Sequence, residues 1–151
     1  MNFESLKQTK SFFDMVVDDM NLLQDKGYVQ LPDDDRLSGL YKLEFAEFIM
    51  YLIASDKNIN INEVEVYRYL TGYCGDDIDS IKEYIEGSDI MSYDFQSRIP
   101  SSLQFLVNAT NRLLQYNNGL EFGPVLKFYL LSFIFAGREV YSSLVFSHAI
   151  L

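Results

Sequence analysis

Cysteine and histidine are nearly absent. The 151-residue sequence holds one of each, Cys74 and His148. One cysteine excludes a disulfide within the chain. One histidine excludes a His-rich metal centre and a Ser/His/Asp arrangement in the body of the chain, so no catalytic motif, no dedicated metal site and no cofactor are expected. Cys74 sits between Tyr73 and Gly75 without a neighbouring base to activate its thiol, and His148 lies close to the end of the sequence. Positive charge is also scarce: 12 Lys and Arg stand against 22 Asp and Glu, a formal charge of −10. That balance argues against nucleic acid and other phosphates, and points to a protein partner with a basic surface. Long apolar runs are missing too. The uncharged stretches 128–137 and 140–151 are separated by Arg138 and Glu139. Each falls short of the roughly 20 residues that span a bilayer, and a single spanning helix would have to bury both charges. Membrane association is therefore not expected; residues 140–151 are read as a tail docked on the domain, or as a contact with a second copy. The acids Glu4, Asp14, Asp18 and Asp19 near the start disagree with a secretory signal, and the expected location is the cytoplasm.

What the sequence does have is apolar mass. Hydrophobic residues make up 48% and aromatics 15%, with 12 Phe and 11 Tyr, enough for the core of one domain spanning residues 1–151. Their spacing is helical. Phe3, Leu6, Phe12, Phe13, Val16, Val17, Met20 and Leu23 recur at spacings of three and four and stop at Gly27, which predicts a helix over 3–26. Residues 28–39, with Pro32, Asp33, Asp34, Asp35, Ser38 and Gly39, read as a loop with a short helical turn. Residues 40–54 are apolar on nearly every side in their second half, which predicts the central, buried helix. Asn60 and Glu63 have the spacing of a capping box ahead of a helix whose apolar face is Ile61, Val64, Tyr67 and Leu70. Asp76 or Asp77 opens a short helix carrying Ile78, Ile81, Tyr84 and Ile85, and Gly87 closes it. Residues 88–99 show no clear pattern. Ser101 and Gln104 form a second capping box after Pro100, leading a helix that stops at Asn117, Asn118 and Gly119. Pro124 suits the first turn of a last long helix running to about Ala136 or somewhat beyond Gly137. No segment alternates with period two. The fold class is all-α, a bundle of about six to seven helices.

The most informative stretch is FAEFIMYLIASDKNININEVEVYRYL, residues 45–70. A buried helix ends in Ala54, Ser55 and Asp56, a tight turn follows, Ile59 points back to the core, and Glu63 falls in the first turn of the next helix. This resembles the helix-turn-helix signature of the TerB-like family of tellurite-resistance proteins, Ala-x-Ala-Asp-Gly-x-Ile with a Glu four residues after the Ile. Lys57 stands where the family has glycine, with Asn58 beside it. The likeness extends over about residues 40–140. It implies an all-helical bacterial domain with a stress-response role, and it marks Asp56 and Glu63 as candidates for contact with a partner or a cation. The second acidic turn frequent in the family would fall at residues 115–121, where the aspartate is missing.

Each candidate also has a structural reading. Glu63 suits a helix cap, and Asp56 suits a turn. Asp33, Asp34 and Asp35 suit a solvated loop, or a surface for a cation or a basic partner. Asp56, Asn58 and Asn60 have the first three ligand spacings of an EF-hand, but Ile61 replaces its glycine and Tyr67 its bidentate glutamate. The expected function is a non-enzymatic protein interaction module. Two alternatives are an acidic immunity or antitoxin protein that masks a basic toxin, and a divalent-metal binder built on Asp56, Glu63 and Asp33 to Asp35.

Overall fold

The computed structural model describes residues 3–55, 58–72, 77–90, 99–114 and 122–150. Among them are six α-helices and one 3-10 turn, with no strand: α1 (Phe3–Asp25), the turn Pro32–Asp34, α2 (Leu37–Ala54), α3 (Ile61–Thr71), α4 (Ile78–Glu86), α5 (Ser101–Leu114) and α6 (Phe122–Ile150). The all-α expectation holds. Helix α2 packs against every other α-helix, with Tyr41, Phe45, Ile49 and Ile53 fully enclosed, so the apolar stretch is the central element.

Aromatic side chains supply the bulk of the joint between α1, α2 and α6. The Phe13 and Phe45 rings lie 4.7 Å apart, and Tyr41 and Tyr129 lie 5.2 Å apart. Phe133 meets Phe45 edge to face at 5.6 Å. The two buried phenols are satisfied. Tyr41 donates to Ser132 Oγ at 2.7 Å, Ser132 donates to the Tyr129 carbonyl at 2.7 Å, and the Tyr129 hydroxyl and Ser102 Oγ lie 2.8 Å apart. No buried side-chain polar atom among the described residues is left without a partner.

The helix ends show which signals were local. Helix α1 closes on Gly27 at φ +80°, with the Tyr28 N–H donating to the Leu23 carbonyl and the Gly27 N–H to the Gln24 carbonyl, each at 3.0 Å, a Schellman arrangement. At α3 the expected box is complete: Asn60 Oδ1 accepts from the Glu63 N–H at 2.9 Å, and Glu63 Oε2 from the Asn60 N–H at 3.2 Å. Asp77 is the cap of α4, accepting from the Ser80 N–H at 2.8 Å, and Gly87 follows its last turn.

Four expectations need correction. Helix α2 starts at Leu37 rather than residue 40, because the Gln24 side chain of α1 accepts from the Leu37 N–H at 2.8 Å and Arg36 is tied to Asp25 at 3.0 Å. Ser101 and Gln104 form no capping box. Instead the Glu44 carboxylate of α2 accepts from the Ser101 N–H at 2.6 Å and the Ser102 N–H at 2.8 Å, while the Gln104 amide donates to the Ile99 carbonyl. Ile61 and Tyr84 face solvent, since among the described residues no helix lies over the first turn of α3 or the outer edge of α4. Helix α6 runs without a break through Gly137 to Ile150, so there is no separate tail. Gly137 keeps helical backbone on the side of α6 that faces α2, where a Cβ would make ordinary contact with Leu52 at 3.8 Å and Phe48 at 4.0 Å.

Candidate functional site

The acidic candidates are on opposite ends of α2. Asp33, Asp34 and Asp35 precede its first turn, and Glu63 follows its last. Eighteen residues at about 1.5 Å each place about 27 Å of helix between those ends, so the two groups do not form one site. Asp56 and Lys57 lie outside the described residues, as do Cys74, Asp76 and the turn at 115–121.

Glu63 is 1% exposed and turned back onto the Asn60 N–H. Its carboxylate is committed to the start of α3, near the positive end of the helix dipole. Asp33 and Asp34 are exposed and both adopt φ of 58°, a left-handed conformation that aspartate tolerates better than most residues. Asp35 offers its backbone: its N–H reaches the Pro32 carbonyl at 3.2 Å, and its carbonyl accepts from the Gln24 amide at 2.7 Å. The triplet therefore closes the α1 to α2 connection and leaves its carboxylates in solvent. Among the described residues no three or more His, Cys, Asp and Glu side chains come together as a metal site would require.

Two other surfaces stand out. On α4, Ile81 and Ile85 face the core, with Ile78 packed beside them, while Asp79, Glu83 and Glu86 are exposed. Their spacing of four and three residues sets the three carboxylates in one row along the helix, and Tyr84 beside them is 63% exposed. Lys82 reaches Glu86 from the side at 3.8 Å. The Asp77 carboxyl, at the start of the same helix, is held below the usual range by the Ser80 N–H and hydroxyl. This row was open to a sequence reading, since the isoleucines of α4 alone set its outer side.

The second surface is on α6, where Leu130, Ile134 and Tyr141 are 53%, 64% and 67% exposed. Glu139 turns inward, buried against the Ser5 hydroxyl of α1, and Arg138 Nη2 reaches the same hydroxyl at 2.7 Å. The near-continuous apolar run conceals which side of this helix meets water, so no sequence pattern marks the exposed face. No helix of the described residues is long and apolar enough to cross a membrane. Compared with known proteins, the chain matches no family model, no curated protein and no solved structure.

Proposed function

We propose that the chain is a non-enzymatic helical interaction module, similar to TerB-like domains, that binds a protein with a basic surface. The supporting observation is the outer row of α4. Asp79 and Glu83 are four residues apart and Glu83 and Glu86 three, so like charges repel along a nine-residue helix, and Lys82 offsets this only at Glu86, from the side at 3.8 Å. A cationic partner relieves that repulsion, and the exposed Tyr84 ring offers an amphipathic contact at the row's edge. The net charge of −10 adds long-range attraction for a cationic surface and speeds encounter. A toxin-masking role is the same recognition with a more tightly held partner. The cytoplasm is the proposed location.

Affinity capture of partners from native cytosol tests the reading, comparing the wild-type chain with a variant carrying Asp79→Lys, Glu83→Lys and Glu86→Lys. The wild type is expected to capture a basic protein at low salt and to release it as ionic strength rises, because exposed charges are screened within about 10 Å at 0.1 M. The variant is expected to capture none of it. Equal capture of that protein by both chains would overturn the assignment.

A further inference from the structure

We infer that α5 is a latched lid: it lifts off α2 and α6 as a unit while the body of α1, α2, α3 and α6 stays folded, and the Glu44 carboxylate is the latch. Helix α5 packs mainly on α2 and α6, at the edge of the bundle, whereas α1, α3 and α6 also pack on one another. From Ser101 to Asn111 its buried residues are Ser102, Leu106 and Ala109, one per turn, with Leu103, Phe105 and Thr110 half-buried. Of the three buried residues, Leu106 alone has a large apolar side chain. Helix α1 sets Leu6, Phe13, Val16, Met20 and Leu23 inside, and the shorter α4 sets Ile81 and Ile85 inside. Buried apolar area is what holds a helix to its neighbours, and α5 has little of it.

Polar bonds take its place, and they are gathered at one end. The Glu44 carboxylate of α2 accepts from the Ser101 and Ser102 N–H groups, and the Ser102 and Tyr129 hydroxyls lie 2.8 Å apart. The Glu44 bonds are charge-assisted and stand at the positive end of the α5 dipole, which makes that residue the latch. Lifting α5 exchanges these bonds for bonds to water, at a small net cost. Separating α1, α2 and α6 instead breaks aromatic contacts that water does not replace, those of Phe13 with Tyr41 and Phe45 and of Phe133 with Phe45 and Phe48. The two parts of the molecule therefore open at different cost, which is the condition for partial opening of a native fold.

Opening has a defined consequence. Tyr129 is 1% exposed with its hydroxyl against Ser102, so the departure of α5 brings water to that hydroxyl. The open form presents the edge of the α2 and α6 joint, where the Tyr129 and Phe133 rings lie 5.1 Å apart, with the freed Glu44 carboxylate beside it. The inference is independent of the acidic row on α4.

Native-state hydrogen exchange on the full chain, followed at rising urea below the unfolding transition, tests it. The amides of Leu106, Ala109 and Thr110 are expected to exchange together, with protection about tenfold or more below that of Val16, Ile49 and Ser132. Their urea dependence should be shallower, because opening exposes less surface than unfolding does. Glu44→Gln keeps the shape of the latch and removes its charge. It should speed exchange of the same three amides by about five- to thirtyfold, with helicity and urea dependence unchanged. Equal protection and equal urea dependence in α5 and the body overturn the inference, since α5 then leaves only with the whole fold. Exchange graded from one end of α5 without urea dependence overturns it too, because that is fraying. Wild-type exchange rates in Glu44→Gln remove the latch and the inference with it.

Discussion

Two phenols in the core connect single residues to the behaviour of the protein in alkali. Burial pushes the Tyr41 hydroxyl well above the ordinary tyrosine range, against the lowering effect of its bond to Ser132, and the Tyr129 ring and Asp14 push it further. Burial likewise raises Tyr129, with the Glu44 carboxylate adding to the shift. Unfolded tyrosine ionises near pH 10. Above that pH the unfolded chain has released protons that the folded chain still holds, so stability is complete below about pH 10 and falls as pH rises beyond it. Each phenol contributes a slope of up to about 1.4 kcal/mol per pH unit. Urea unfolding followed across this range should show the fall, and Tyr41→Phe or Tyr129→Phe should each remove about half of it. A stability that stays level through pH 10 to 11 would mean that water reaches both hydroxyls in the folded state.

Helix ends belong to the next scale, and the start of α5 shows how one element caps another. The Glu44 carboxylate on α2 takes the N–H groups of Ser101 and Ser102, two of the first-turn donors that a helix cannot satisfy by itself. Glu44→Ala is expected to lower stability by about 1 to 2 kcal/mol and to speed amide exchange at Ser101 and Ser102, while leaving the start of α3 unchanged. Equal protection of those amides in both proteins would assign their capping elsewhere. Nothing near Ser101 in sequence announces Glu44, which is why residues 101 and 104 read as a box of their own. The α3 box lies within four consecutive residues, Asn60 to Glu63, and was legible for that reason. So was the end of α1, since Gly27 acts through its own φ. The start of α2 was not, because the groups that fix it, Asn21, Gln24 and Asp25, come from the end of another helix. Glu63 was legible as a cap. The outer face of α6 was hidden by a different cause: periodicity carries information only where polar residues interrupt it, and from Phe128 to Gly137 the one interruption is Ser132, which faces the core.

At the scale of the whole molecule, the dominant quantity is the excess of acid, 22 carboxylates against 12 bases. Folding gathers these charges into a smaller volume, so their mutual repulsion opposes the native state more than the unfolded one. The attractive pairs do little to offset this. Lys10 and Asp14, Arg36 and Asp25, and Lys82 and Glu86 are surface pairs of the kind that contributes under about 1 kcal/mol. The buried Glu139 draws on the Ser5 hydroxyl as well as on Arg138 and is screened far less. Salt should therefore weaken repulsion more than attraction. Raising NaCl from about 10 mM to about 150 mM shortens the screening length from about 30 Å to about 8 Å, which cuts off distant repulsion and leaves contact pairs partly intact. The melting temperature is expected to rise, by about 2 to 4 °C if the gain is about 1 kcal/mol in a chain of this length. Thermal melts followed by circular dichroism at both salt concentrations check the sign. A melting temperature that falls with salt would mean that the ion pairs, rather than the excess acid, govern the charge contribution to stability.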